Sequence, residues 1–317
     1  MYDLIIIGGG AAGLSASIYA LRARLDMIMI EKIGIGGQIA VTDVIENYPG
    51  YRSLSGGELT NKFESHAKDF GLKVEFGVVE QIIDKGDRKI VKTDTKTFES
   101  KSVIVASGAQ PRKLEVKGEK EFTGRGVSYC ATCDGPFYNG KDIVVVGGGD
   151  TAVKEAIYLS KIANRIYMVH RRDRFRAEKI LQEKLLSRPA EADAPKVDFI
   201  WNSVIDEIVG GERGVEKVSV RNLQKNEKRE ISAEGIFIFV GIIPNTEFID
   251  AEKDNGGFII TNDRMETSIK GVYAAGDCRN TPLRQVATAV GDGAIAAVIA
   301  EEYISNLEGK AYPKRAG

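Results

Sequence analysis

Cysteine, histidine and tryptophan are scarce in this chain of 317 residues, which has three, two and one of them respectively. Three cysteines cannot form the disulfide framework of a small secreted domain, so a reducing, cytoplasmic setting is expected. Structural zinc wants four ligands, usually as two Cys/His pairs, and with so few such residues no metal is expected. Charge of one sign is lacking too. A net charge of −1 leaves no basic field for nucleic acid or an anionic membrane to meet. No apolar run reaches the roughly 20 residues of a membrane-spanning helix. The opening Met1-Tyr2-Asp3-Leu4-Ile5 shows no basic leader or cleavage site. What remains, 43% hydrophobic and 28% charged residues, is the composition of a globular protein long enough for two domains.

Two of the three cysteines stand together in Ser128-Tyr129-Cys130-Ala131-Thr132-Cys133-Asp134-Gly135. Thiols at this spacing stabilise each other's thiolates and bring the pKa to roughly 7 or lower. One thiolate attacks an outside disulfide, after which its neighbour closes the ring. Asp134, next in the chain, is placed to carry the proton that this exchange must move. A zinc half-site and an inert buried pair compete with the redox reading. Redox chemistry alone of the three demands an electron donor.

Asp3-Leu4-Ile5-Ile6-Ile7 has the continuous apolar character of a parallel strand buried on both faces. Gly8-x-Gly10-x-x-Gly13 follows, then a helical pattern through Leu14, Ile18 and Leu21, a second strand over Met27–Ile30, and Glu31. Strand, glycine turn, helix, strand and acid in that order form a dinucleotide fingerprint. The glycines admit a pyrophosphate to the backbone, the helix N-terminus faces its charge, and the acid bonds ribose hydroxyls. The pattern then restarts. Asp142–Val146 leads into Gly147-x-Gly149-x-x-Ala152, a helix through Val153, Ala156, Ile157 and Leu159, and a strand over Ile166–Val169. Two nucleotide-binding units are expected, a domain copied within the chain. Glu31 and His170 hold the same place after the third fingerprint residue, but His170 is followed by Arg171, Arg172 and Arg176. An anion repels a 2′-phosphate, whereas arginine forks pair with one. The first site should therefore take an unphosphorylated dinucleotide and the second NADPH. A solvated, charged turn is the competing reading of the arginines.

Elsewhere the patterning predicts an amphipathic helix over 58–70 and antiparallel strands within 73–99, among them Lys73–Phe76 and Lys89–Thr93. A buried strand over Val103–Ala106, a polar surface loop over 188–196, and strands near 215–221 and 236–240 follow. A closing helix runs from about Gln285 to Leu307, with Ala287, Val290, Ala294 and Val298 on one side. His66 and Trp201 read as structural. Cys278 reads as a small buried hydrophobe, with a third redox thiol as the alternative.

From about Asp3 to Leu307 the chain resembles the bacterial-type, low-molecular-weight thioredoxin reductases, which are flavoprotein disulfide reductases. The resemblance is carried by Cys130-Ala131-Thr132-Cys133-Asp134-Gly135 just before the second fingerprint, by His170-Arg171-Arg172 with Phe175-Arg176-Ala177, and by Gly276-Asp277 with Arg284-Gln285. It implies an α/β fold of two Rossmann-like dinucleotide-binding domains, each a three-layer ββα arrangement. The FAD domain would be discontinuous, 1–113 and 244–317, with the NADPH domain, 114–243, inserted and carrying the cysteine pair. FAD would lie against Gly8, Gly10, Ala12, Gly13, Glu31, Gly36, Gly37, Gln38, Asn47, Gly108, Gly276, Asp277, Arg284, Gln285 and Val286. NADPH would lie against Gly147, Gly149, Asp150, Thr151, Ala152, His170, Arg171, Arg172 and Arg176. A flavin also makes chemical sense between a hydride donor and a disulfide.

The resemblance implies electrons passing from NADPH through FAD to Cys130–Cys133, with Asp134 as acid/base, and then to oxidised thioredoxin docked near Arg125, Phe137 and Tyr138. One domain would rotate against the other between the two half-reactions, on hinges near 110–125 and 241–247, with Gly124 and Gly126 as hinge glycines. A homodimer is implied, with no nucleic-acid or membrane partner. A relative using ferredoxin or a small dithiol is the alternative enzyme, and the arginines argue against ferredoxin. A flavin-nucleotide binding protein with inert cysteines is the non-catalytic alternative.

Overall fold

A computed structural model describes residues 1–40, 42, 45–186 and 196–310. The chain divides into two compact units, one formed by Met1–Gln110 with Ile243–Gly317 and the other by Pro111–Ile242.

The first unit opens with β1 (Tyr2–Ile7), α1 (Ala11–Arg22), β2 (Met27–Glu31), α2 (Gly56–Asp69) and β3 (Val74–Phe76). It continues through β4 (Val79–Asp84), β5 (Lys89–Thr93), β6 (Thr97–Val105) and β7 (Ala109–Pro111). Strands β3, β2, β1 and β6 are parallel neighbours in that order. This corrects the antiparallel assignment of Lys73–Phe76, since β3 pairs parallel to β2 with Met29 opposite Val74. Alternation reports a covered face and not a direction; the direction follows from the crossover through α2, which returns the chain parallel. The antiparallel reading holds for β4, β5 and the first part of β6.

Alternate residues of the central strands feed two cores. Leu4, Ile6, Met27, Met29 and Ile104 pack with α1 on the helix side. Ile5, Ile7, Ile28, Ile30, Val103 and Val105 pack with Ile82 and Val91 of the β4–β5 hairpin. Burial on both faces is why these strands read as unbroken apolar runs.

The second unit holds β8 (Val127–Ser128), α3 (Ala131–Asp134), β9 (Asp142–Gly147), α4 (Asp150–Leu159), β10 (Arg165–Val169) and α5 (Lys179–Leu186). Then come β11 (Lys196–Ile200), β12 (Ser203–Gly211), β13 (Gly214–Asn222), β14 (Lys228–Ser232) and β15 (Gly235–Phe239). Residues 188–195 of the expected polar loop lie outside the described residues. A parallel sheet of order β11-β10-β9-β15-β8 lies between α4 and an antiparallel sheet of order β12-β13-β14. Val144, Val146, Ile236 and Ile238 face the antiparallel strands, while Ile143, Val145 and Phe237 face Ala152, Ala156 and Leu159 of α4. Both units thus have the three layers of a ββα fold.

The chain returns through β16 (Ile242–Pro244), which pairs with β7, and β17 (Val272–Ala274), parallel to the end of β6; α6 (Val286–Leu307) closes it. Two expectations need correction. The buried face of α6 is Gly293, Ala296, Ala297, Ala300 and Ile304, whereas Ala287 is exposed and Val290, Ala294 and Val298 are half-buried. Close approach to α1 decides this: a Cβ on Gly293 would lie 2.1 Å from the Ala12 carbonyl oxygen, so the smallest residues define the seam. Gly124 and Gly126 are not at the crossing between units either. They form a closed turn inside the second unit, where Val127 N–H donates to Phe122 O at 2.9 Å and a Cβ on Gly126 would meet Val215 at 2.5 Å.

Candidate redox active site

The first glycine turn leaves the carboxyl end of β1. Gly8 has φ +107, and a Cβ there would lie 2.4 Å from the Ala106 carbonyl oxygen. One on Gly13 would lie 1.9 Å from Gly8 O, while at Gly10 nothing stands within 4 Å. The outer glycines therefore allow helix and strands to close up, and the middle one presents bare backbone. Gly9, an unspecified position of the motif, donates its amide to Glu31 Oε2 at 2.6 Å; Glu31 Oε1 accepts from Ile33 N at 3.0 Å. Gly36 N–H donates to Gly9 O at 2.8 Å, and a Cβ on Gly37 would stand 3.6 Å from Gly10 Cα. Gln38 follows in an exposed turn.

From the far end of the sequence, Gly276 packs against Ala12. Asn47 donates to the side chain of Gln285 at 3.1 Å, and Gln285 caps α6 just before Val286. Gly108, with φ +68, has open space where a Cβ would be. Burial raises the Asp277 pKa, against the opposing charge of Arg284. The Arg284 guanidinium lies 4.1 Å over the Phe258 ring, and its Nε has no hydrogen-bond partner among the described residues. Asp292 had not stood out in the sequence. Its carboxylate accepts Gly276 N at 3.1 Å and Arg279 Nη1 at 3.0 Å, which holds the Gly276-Asp277 turn; an acid within the apolar stretch of α6 is the signal for it. Bare backbone at Gly10, the cradle under Gly8 and Gly13, and the orphaned Nε of Arg284 fit a flavin dinucleotide.

In the second unit Gly147 has φ +144, and a Cβ on it would lie 2.4 Å from Phe239 O. A Cβ on Gly148 would meet the His170 ring at 2.4 Å, and Arg176 Nη2 stands 3.9 Å from where one would be on Gly149. Gly148 O accepts the amides of Arg176 at 2.7 Å and Ala177 at 3.3 Å, and Asp150 Oδ1 accepts Glu178 N at 2.9 Å. These bonds strap the loop of exposed Arg171, Arg172 and Arg176 to the glycine turn. Thr151 is exposed at the start of α4, while Ala152 is buried in the core. His170 is only 6% exposed, and its Nε2 has no partner among the described residues. Burial first, then the charges of Arg172, Arg171 and Arg176, lower its pKa. Trp201 packs with Phe175 and Phe199 beside it. An orphaned imidazole nitrogen beside a glycine turn, with the Arg176 guanidinium at its rim, fits a phosphorylated nucleotide.

Cys130 and Cys133 are joined in a disulfide with their Cα atoms 5.4 Å apart. Cys130 caps the N-terminus of α3 and Cys133 lies within it, and α3 is seated on α4 through buried Ala131 and, just beyond its end, Gly135, whose Cβ would lie 3.0 Å from Leu159. Ser128 Oγ donates to Asp134 Oδ2 at 2.6 Å and accepts Cys130 N at 3.1 Å. Tyr129 donates to Glu119 Oε1 at 2.7 Å, and this 2%-exposed carboxylate also accepts Leu114 N at 2.9 Å and Glu115 N at 2.6 Å. Sequence reasoning singled out neither Ser128 nor Glu119. Tyr138 packs on Phe237, and burial, helped by the charges of Asp134 and Glu234, pushes its pKa up to about 12. Arg125 and Phe137 are exposed.

The sheet fixes how disulfide and glycine turn relate. Ser128 lies opposite Phe237, and Phe237 opposite Val145. Both turns therefore leave the same carboxyl edge, two strand spacings or about 10 Å apart. Cys278 is not part of this site. It is fully buried in the first unit, donates to Val105 O at 3.3 Å and Ala275 O at 3.4 Å, and burial pushes its pKa up to about 11. His66 is exposed on α2 beside Phe70. Among the described residues there is no metal-holding cluster, and no helix is long and apolar enough to cross a membrane.

A model of the pyridine nucleotide-disulphide oxidoreductase family matches residues 2–293. A thioredoxin reductase of Bacillus subtilis is 45% identical over 310 residues, covering 97% of this chain and 96% of that one. The crystal structure of a thioredoxin reductase from Streptococcus pyogenes superposes with a TM-score of 0.91 at 45% identity, covering 96% of this chain and 99% of its own. The Lactococcus lactis thioredoxin reductase in its FR conformation gives 0.66 at 42% identity, covering 96% and 100%. With its two glycine turns and the joined cysteines between them, this chain belongs to the pyridine nucleotide-disulphide oxidoreductases and, within them, to the thioredoxin reductase family.

Proposed function

We propose that the protein reduces the disulfide of thioredoxin with electrons from NADPH, by way of FAD and the Cys130–Cys133 pair. The first unit is the FAD domain and the second the NADPH domain. The observation that carries the reading is the disulfide standing on the same sheet edge as an arginine-strapped glycine turn, with Asp134 hydrogen-bonded beside it. The chemistry that FAD supplies when bound is acceptance of a hydride and release of an electron pair to a disulfide. Gly10 brings bare backbone to its pyrophosphate in the cradle that Gly8 and Gly13 close, Glu31 faces its ribose, and the Gly276-Asp277 turn and Gln285 line its other half. Arg171, Arg172 and Arg176 grip the 2′-phosphate of NADPH, and this favours the nucleotide over ferredoxin as donor.

The cysteines perform the exchange. In the reduced pair one thiolate attacks a sulfur of the partner's disulfide, forming a mixed disulfide and releasing the other partner sulfur, which takes a proton. The second cysteine thiolate then attacks the mixed disulfide, the Cys130–Cys133 bond forms again, and the partner leaves with two thiols. Two electrons and two protons have moved, and Asp134 handles a proton at the sulfurs. Because nucleotide and disulfide are fixed on one edge and serve one flavin, the units rotate between half-reactions. The FR conformation named for the Lactococcus lactis enzyme supports such alternation. The hinge is the paired crossing of β7 and β16, beside which Arg112 N–H donates to the carbonyl of Gly241, itself at φ +121. Exposed Arg125 and Phe137 form the docking face, and the working form is a cytoplasmic homodimer.

Anaerobic mixing with NADPH, NADH or reduced ferredoxin tests the donor through flavin bleaching, and NADPH consumption with oxidised thioredoxin tests the acceptor. Cys133→Ser should retain bleaching by NADPH and lose turnover by more than about 1,000-fold. A purified protein that is colourless and refuses added FAD would end this reading.

A further inference from the structure

We propose that Ser128 is a positioning residue for the disulfide-exchange step, holding Asp134 and the Cys130 backbone in one hydrogen-bonded unit. The inference rests on the reading of Cys130–Cys133 as the redox pair and Asp134 as its acid/base. Ser128 is the last residue of β8, 4% exposed and paired in register with Phe237 of β15. A hydroxyl has one proton and two lone pairs. Here a lone pair accepts the Cys130 amide at 3.1 Å, and the proton points to Asp134 Oδ2 at 2.6 Å in preference to Cys130 O at 3.3 Å. The side chain of the acid is thereby tied to a strand of the sheet.

The tie matters most when the disulfide opens. In the oxidised protein the turn is spanned by the Cys130–Cys133 bond and the Ser128 bridge, beside the backbone bond from Asp134 N–H to Cys130 O at 3.1 Å. Reduction removes the first. The four-residue α3 is too short to hold its own register, because a helix this brief has little beyond its nucleating bonds. No atom of the Ser128 bridge is a sulfur, so the bridge survives reduction. It keeps the carboxylate at a fixed offset from Cys130 in the state that attacks the partner.

The test uses the full-length, FAD-loaded protein and the variants Ser128→Ala, Ser128→Thr, Asp134→Ala and Ser128→Ala/Asp134→Ala. Each is measured for FAD content, for flavin bleaching by NADPH in anaerobic stopped flow, and for kcat and KM with oxidised thioredoxin. Ser128→Ala should lower kcat about tenfold, a fraction of what a positioned acid/base contributes, while FAD content, bleaching rate and the KM for NADPH stay as in the parent. Ser128→Thr, which keeps the hydroxyl, should recover most of the loss. On an Asp134→Ala background Ser128→Ala should cost nothing further, because it acts through the removed group. An unchanged kcat in Ser128→Ala, a Thr variant as impaired as the Ala variant, an additive double variant, or an equal fall in bleaching and FAD content would each overturn the proposal. Failure of the underlying reading looks different: the parent protein would not reduce thioredoxin, or Cys133→Ser would retain turnover.

Discussion

The two glycine turns share fold, register and motif, yet they are anchored with opposite polarity. In the first unit the middle glycine of the opening triplet Gly8-Gly9-Gly10 gives its amide away: Gly9 N–H donates to the Glu31 carboxylate at 2.6 Å. In the second the middle glycine offers its carbonyl, and Gly148 O accepts the amides of Arg176 and Ala177. The acid that steadies the first turn is also the group that would face a ribose, whereas steadying the second brings an arginine to its rim. On the proposed assignment, ligand preference is built into what holds the turn in place, and the turn itself is neutral between the two. The middle residue, free in the motif, is constrained in both copies, because a Cβ would meet Ile35 at 2.7 Å in the first and His170 at 2.4 Å in the second.

Four experiments would break or sharpen this contrast. The largest effect should come from the middle glycines. Gly148→Val should raise the KM for NADPH by about 100-fold or more, since a branched side chain must displace the ring beneath the turn, with FAD content unchanged in the flavin spectrum. Gly9→Val should do the converse and yield protein poor in FAD. Next comes charge. Arg176→Ala should raise the KM for NADPH by about 10- to 100-fold, the worth of one charge-assisted hydrogen bond or two, while NADH kinetics barely change; equal losses for both nucleotides would dismiss the 2′-phosphate role. Third, Glu31→Gln should weaken FAD binding about tenfold by titration of the apoprotein, leaving the second site alone. The smallest effect concerns pH. His170 is buried with its pKa below the ordinary imidazole range. As pH falls below about 6.5 the unfolded chain takes up that proton before the folded one does. The stability it contributes is therefore full at pH 7 and is lost as pH falls through that window. His170→Phe should flatten the thermal-melting profile between pH 7 and 5, and a profile as steep as the parent's would place the dependence elsewhere.

Both fingerprints, their strands and the cysteine turn were legible because each rests on local chemistry: apolar runs, glycine spacing, two sulfurs. What escaped depends on which neighbour a segment meets. Val74–Phe76 alternates like any edge strand, and only its partner β2 decides that it runs parallel. The seam of α6 follows small residues that let α1 approach, a preference that a search for large apolar side chains overlooks. Gly124 and Gly126 have the dihedral freedom of hinges, but that freedom serves a packed turn. The same holds at the site. Ser128 and Asp134 lie six residues apart and meet only because a strand ends and a short helix folds back, and Glu119 gathers donors from two loops. Asp292 reaches Gly276 across the junction of α6 with the preceding turn.

Cys278 is sealed away and held as a protonated thiol, while Cys130 and Cys133 are half-exposed. An alkylating reagent applied to the folded protein is therefore blind to Cys278 and labels only the pair that opens and closes. A mass spectrum of the labelled protein then reads as an electron count, showing no adducts or two, with a third appearing only after denaturation. The oxidation state of each molecule in a reacting mixture becomes a weighable quantity, independent of any colour the cofactor lends.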